Sequence, residues 1–151
     1  MIDIGAKEIV RRTAVASGFI ELKSGTLEAI KKGEVKKWYV LSTARAAGIM
    51  AAKHTPDTIP FCHIIALEHA DSKFSIEDDG IKCTCEVSAR YKTGVEMEAL
   101  NCVSASLLTI WDMVKYLEKD SKGQYPSTRI STIMVDIKEK TPLNGEDNGS
   151  R

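Results

Sequence analysis

Residues 94–119, GVEMEALNCVSASLLTIWDMVKYLEK, decide the fold. Val95, Leu100, Val103, Leu107, Ile110, Val114 and Leu117 recur at helical spacing, which predicts one long core helix from Gly94 to Lys119. Before it, Ile64 to Glu77 and Ile81 to Arg90 read as two long strands. They are joined at Asp78-Asp79-Gly80, whose Asp-Gly pair signals a hairpin, so the strands pair antiparallel. After it, Thr128 to Lys138 sets Ile130, Thr132, Met134 and Asp136 against Ser131, Ile133, Val135 and Ile137. Both faces are partly apolar, which predicts a final strand.

Upstream, Ser17 to Lys23 alternates as a strand closed by a turn at Ser24-Gly25. Thr26 to Lys32 forms a short helix stopped by Gly33. Val40 to Lys53 is an alanine-rich helix with Val40, Leu41, Ala44, Ala47 and Ala51 on one stripe, ended by Pro56 and Pro60. The order strand, two helices, two strands, long helix, strand predicts an α+β fold, ferredoxin-like, with helices on one face of an antiparallel sheet. Gly123 to Pro126 reads as a plain loop and no internal repeat breaks the pattern. A single domain therefore spans 1–143, and the Gly-, Asp- and Ser-containing tail 144–151 is expected to be disordered.

The 151 residues are 43% apolar and 28% charged, a composition for one globular core. Lys+Arg and Asp+Glu both number 21, so no overall field draws the chain to nucleic acid or to an anionic membrane. No run approaches the roughly 20 apolar residues of a bilayer span, and the N-terminus lacks the apolar core of a signal peptide, so a cytoplasmic location is expected. Cys62, Cys83, Cys85 and Cys102 include no Cys-x-x-Cys pair. Cys83 and Cys85 alternate with Ile81 and Val87 as small core residues, and no metal ligand set is expected.

The residues Tyr91 to Leu100 carry two acids, a lysine and a Thr-Gly bend where the long helix begins. If the backbone stays extended from Val95 to Glu98, Glu96 and Glu98 point to one side and share a cavity. Repulsion would then separate their pKa values and yield a proton donor and a proton acceptor. Taken alone, the same residues read more simply as a solvated helix start, where acids suit the dipole.

Four stretches add a resemblance: Thr43-Ala44-Arg45-Ala46-Ala47-Gly48-Ile49, Ile59-Pro60-Phe61-Cys62-His63, Lys92-Thr93-Gly94-Val95-Glu96-Met97-Glu98-Ala99-Leu100 and Leu108-Thr109-Ile110-Trp111-Asp112-Met113-Val114-Lys115. With Asp3-Ile4, Lys7 and Arg12-Thr13-Ala14 they resemble, in unbroken order over roughly residues 3 to 120, the cyclic pyranopterin monophosphate synthase (MoaC) family of molybdenum cofactor biosynthesis. The resemblance implies a lyase that rearranges 3',8-cyclo-7,8-dihydroguanosine 5'-triphosphate to cyclic pyranopterin monophosphate and releases pyrophosphate.

By position, Lys37 and Lys115 match the family's catalytic lysines, and a triphosphate needs such local cations. Asp112, three residues before Lys115, is placed to hold its ammonium. His63, Glu96 and Glu98 would move the protons that ring opening requires. Arg12, Lys92, Cys62, Met97 and Lys138 are the substrate-binding candidates. Met97 either lines the substrate face, as its family counterpart does, or turns into the core, which an extended segment would favour. His54 and His69, and the basic edge of Lys31, Lys32 and Lys36, read as structural or surface residues. No cofactor is required by the sequence, and Mg2+ is compatible with it.

Departures are visible. Lys37-Trp38-Tyr39-Val40 stands where the family has Lys-Gly-Asp-Val, Ile64 replaces a proline, Trp111 replaces a common tyrosine, and the Gly-Gly-Lys-Ser-Gly ending is missing, leaving Lys138 or Lys140 to substitute. Glu98 and Asp112 are fourteen residues apart, roughly 21 Å along one helix. A small substrate spanning that distance implies a site shared between subunits, hence a homo-oligomer, and the resemblance implies a hexamer as a trimer of dimers. The rival readings are a metal-dependent hydrolase using Cys62 and His63, a non-catalytic nucleotide-binding module suggested by Trp38-Tyr39, and single-stranded RNA binding through sheet aromatics, of which Phe74 is the main one.

Overall fold

The structure is a computed structural model and describes residues 1–37 and 39–143. The expectations attached to Trp38 and to a disordered tail at 144–151 lie outside the described residues. Strand β1 (Val10–Glu21) is followed by helices α1 (Ser24–Lys32), α2 (Val40–Lys53) and α3 (Thr55–Thr58). The hairpin β2 (His69–Ile76) and β3 (Gly80–Tyr91), the long helix α4 (Glu96–Glu118) and strand β4 (Arg129–Thr141) complete the chain. The sheet order is β2-β3-β1-β4 with every neighbouring pair antiparallel. That is the α+β, ferredoxin-like arrangement anticipated from the element order, with the helices on one face.

Several boundaries differ from the periodicity. Strand β1 starts seven residues before Ser17, because its helix-facing residues there, Ala14 and Ala16, are fully buried yet too small to register as an apolar alternation. Ser24-Gly25 opens α1 instead of forming a turn. Pro56 sits in the first turn of α3, where a missing N–H costs nothing, so it starts a helix as well as following one. Residues 64–68 are irregular, and β2 begins only at His69. Phe74 packs against the core from the helix-covered side, which removes the main aromatic expected on an RNA-binding face.

The core lies between α4 and strands β1 and β3. Val103, Leu107, Ile110 and Val114 of α4 are fully buried with Ala16, Ile20, Ile81 and Val87 of the sheet. Cys83 and Cys85 are fully buried in β3, as their alternation predicts. Helix α2 crosses α4 through Val40, Ala44, Gly48 and Ala52, a stripe displaced from the expected one, so that Leu41, Ala47 and Ala51 only flank it. Gly48 is the contact point. A Cβ there would lie 2.2 Å from Ser106 Oγ and 3.0 Å from the Cys102 carbonyl oxygen. The approach lets Ser106 Oγ donate to the Ala44 carbonyl at 3.2 Å and Asn101 Nδ2 to that of Ala51 at 2.9 Å.

At the far end of α4, Glu118 is fully buried, which a carboxylate tolerates only when its oxygens are well supplied with donors. The Lys23 N–H donates to it at 3.1 Å, and the hydroxyls of Thr26 and Thr128 donate as well. One side chain thus joins the end of α4 to the start of α1 and the approach to β4.

Gly48→Ala is expected to lower the urea midpoint by the equivalent of about 1–3 kcal/mol, because α2 must move off α4. Adding Ser106→Ala removes the nearest obstacle and recovers part of that loss in equilibrium unfolding, a non-additive pair.

Candidate active site

A cavity of about 630 Å³ opens at the N-terminal end of α4. Phe61, Cys62, His63, Thr93, Met97 and Glu98 form its floor and walls, and the N-terminal segment, through Ile2, Ile4 and Lys7, lies across it. Two contacts hold that segment. His63 Nε2 donates to the Ile2 carbonyl at 2.9 Å, which in the neutral ring leaves the lone pair on Nδ1. Lys92 Nζ donates to the Gly5 carbonyl at 2.6 Å. Lys7, Phe61, Thr93 and Gly94 also line the cavity; they lie in the quoted stretches, but nothing in the sequence marks them individually as site residues.

Glu96 and Glu98 do not share a side. The backbone is already helical at Glu96, so the two acids lie roughly 200° apart around α4 instead of two positions along a strand. Glu98 turns inward, 3% exposed, and lines the cavity. Glu96 turns toward β4 and ion-pairs with Lys138. The helical backbone also corrects the core placement of Met97, which is 40% exposed and lines the cavity. Gly94 leaves room for the Glu96 carboxylate to fold back over the bend; a Cβ there would make that flexible side chain move.

The environments still separate the two carboxyls. Burial pushes Glu98 above its ordinary value, and the neighbouring Glu96 charge adds to the rise against the hydrogen bond from its own backbone. For Glu96, burial also acts upward. The hydrogen bond from Lys138, its own amide and the charges of Lys138 and Arg12 outweigh it, so Glu96 ends below its ordinary value. Arg12 reaches the Lys92 carbonyl at 3.4 Å, while its buried Nε has no acceptor among the described residues. Arg12, Lys92 and Lys138 therefore gather around this end of the helix.

The remaining predicted residues assemble at the other end. Asp112 accepts from Lys37 Nζ at 2.6 Å through Oδ2 and from Lys115 Nζ at 2.7 Å through Oδ1, and the Asp112 carbonyl accepts from Lys37 at 3.2 Å. Lys115 first and Lys37 second hold the Asp112 carboxyl down to about 2. The same partnership raises the Lys115 ammonium, with the nearby Tyr125 phenol contributing. In a single chain the two groups stand apart, Glu98 and Asp112 being separated by roughly 21 Å of continuous helix.

The Cys62 thiol is pushed up by burial and by the Glu98 charge, so it is a poor thiolate. Among the described residues no three His, Cys, Asp or Glu side chains stand as a metal-binding group, which leaves the hydrolase reading without a ligand set. No described helix is long and apolar enough to cross a membrane.

Comparison with known proteins identifies related chains. The MoaC family model matches residues 1–141. The chain is 55% identical over 141 residues to a probable cyclic pyranopterin monophosphate synthase of Sulfolobus acidocaldarius, covering 93% of this chain and 99% of the relative. It is 56% identical over 140 residues to one from Thermococcus kodakarensis, covering 93% and 90%. With one from Thermoplasma acidophilum it shares 49% identity over 143 residues, covering 95% and 100%.

Two titrations check the electrostatics. Asp112 should titrate near 2 by carboxyl-detected NMR and move toward the ordinary 3.8 in Lys115→Ala; its ionised form favours the fold above that ordinary value, and this contribution fades as pH falls toward 2. Glu98 has the opposite sign: its raised pKa favours the fold below the ordinary 4.5, and that contribution is lost as pH rises from there through the raised pKa. Glu98→Gln should therefore raise the denaturation midpoint at neutral pH and leave it unchanged below pH 4.5.

Proposed function

We propose that this chain, which belongs to the MoaC family, is a lyase that converts cyclised dihydroguanosine triphosphate to cyclic pyranopterin monophosphate with release of pyrophosphate, an early step of molybdenum cofactor biosynthesis. The observation that carries the chemistry is the division of the site residues into two electrostatic types at the two ends of α4. At the C-terminal end, Lys37 and Lys115 share one carboxylate. Those two ammonium groups are suited to the triphosphate and to the charge that builds on departing pyrophosphate. At the N-terminal end, Glu98 is raised and Glu96 is lowered, with His63 at the same cavity. Two carboxyls driven to opposite sides of their ordinary values are suited to opposite proton-transfer roles during ring opening. Arg12, with an unsatisfied buried Nε, together with Lys92, Cys62, Met97 and Lys138 would bind the guest.

The separation along α4 makes the single chain an incomplete site. The reading therefore includes a homo-oligomer in which the Glu98 end of one protomer meets the Lys37–Lys115 end of another, with a hexamer built from dimers as the full assembly. The cytoplasm suits four unpaired cysteines and a nucleotide-derived substrate. No resident cofactor enters the proposal, and Mg2+ arriving with the triphosphate is compatible with it.

Incubation with enzymatically made cyclised dihydroguanosine triphosphate should release pyrophosphate and, after oxidation, give pterin fluorescence. Lys37→Ala and Lys115→Ala should each cut turnover by about 100-fold or more while the thermal midpoint is retained. Mixing inactive Lys115→Ala with inactive Glu98→Gln under subunit exchange should restore about a quarter of wild-type activity, because a mixed pair keeps one intact composite site. Wild-type turnover in both lysine variants, or no recovery on mixing, would count against the assignment.

A further inference from the structure

Lys37 lies between α1 and α2, outside both helices. Exposed ion pairs between long side chains hold a geometry only weakly, and both Lys37 and Asp112 are about half exposed, at 49% and 53%. Something other than the pair itself must fix the backbone that carries Lys37. Two features bracket the segment: Gly33 closes α1 in the left-handed region and Tyr39 opens α2 there, with φ of 70° and 61°. Between them Val35 is buried, and the next residue makes the decisive contact. The Lys36 N–H donates to Tyr116 Oη at 2.7 Å, and the Lys36 ammonium lies 5.2 Å from the centre of the Tyr116 ring.

We infer that Tyr116 is a positioning residue for the reaction, clamping the Lys36–Lys37 backbone to α4 so that Lys37 and Lys115 meet on Asp112; this rests on the lyase reading above. The helix supplies the registration. Tyr116 follows Lys115 directly and lies four residues after Asp112, on the same face. Its phenol oxygen thus takes the amide next to one cation while its own backbone adjoins the other. The reach across the gap is the length of an aromatic side chain with only two torsions, a stiff strut compared with a lysine. Displacement of a catalytic group by about 1 Å can cost on the order of 100-fold in rate, so an interaction of modest strength in stability acts strongly in turnover.

Tyr116→Phe keeps the ring and the helix and removes only the acceptor. The expected result is a kcat lower by about 10-fold or more, a KM within about twofold of wild type, a thermal midpoint within about 2 °C, and faster hydrogen exchange at the Lys36 amide. In a Lys37→Ala background the same change should have no further effect on the residual rate, because the strut has nothing left to position. Full turnover in Tyr116→Phe, or an equal fractional loss with and without Lys37, overturns the inference while leaving the lyase reading in place. Full turnover in Lys37→Ala removes Lys37 from the chemistry and takes the inference with it, and unchanged Lys36 exchange in Tyr116→Phe removes the clamp itself.

Discussion

The molecule is organised by the straight run of α4. Twenty-three residues of unbroken helix lie along the sheet, and their inner face buries against β1, β3 and α2 together. Because helical rise is fixed at about 1.5 Å per residue, the same element that builds the core also sets the spacing of everything presented at its ends. No side-chain rearrangement brings Glu98 to Asp112 within one chain. The core stabilises this rod at two places: Gly48 lets α2 reach the backbone of α4, and Glu118 pins its last turn beneath α1 and the start of β4.

That spacing gives the two ends different electrostatic characters. The N-terminal end is where burial and a flanking acid act on Glu98, while Lys138 and Arg12 compensate Glu96. The C-terminal end is open and cationic, with one carboxylate shared by two ammonium groups. Within one chain the helix keeps these two charge environments apart.

The expected sharing of a cavity by Glu96 and Glu98 fails for a local reason with an instructive outcome. Two carboxyls in an extended segment would have been split by mutual repulsion. On a helix they face apart, and the split arises because one is buried and the other is matched by cations from β4 and β1. The two carboxyls still diverge, but the cause moves from the pair to the surroundings.

Much of this was legible in the chain. The helical spacing from Val95 to Leu117, the Asp79-Gly80 turn, the alternation of Ile81, Cys83, Cys85 and Val87, and the limits of α2 each follow from local periodicity and turn chemistry. Those determine the fold class, because burial of a periodic face is written at the spacing of the residues themselves. Motif order likewise brought Lys37, Asp112, Lys115, His63 and Glu98 forward as candidates. What only the tertiary structure decided are the contacts between distant stretches: the bond from Lys36 to Tyr116, the burial of Glu118, the crossing at Gly48, the strap of Ile2 and Gly5 over His63 and Lys92, and the inward turn of Glu98 against the outward turn of Glu96. Each depends on where two elements cross, and a crossing is fixed by the packing of whole faces, so no short window of sequence contains it.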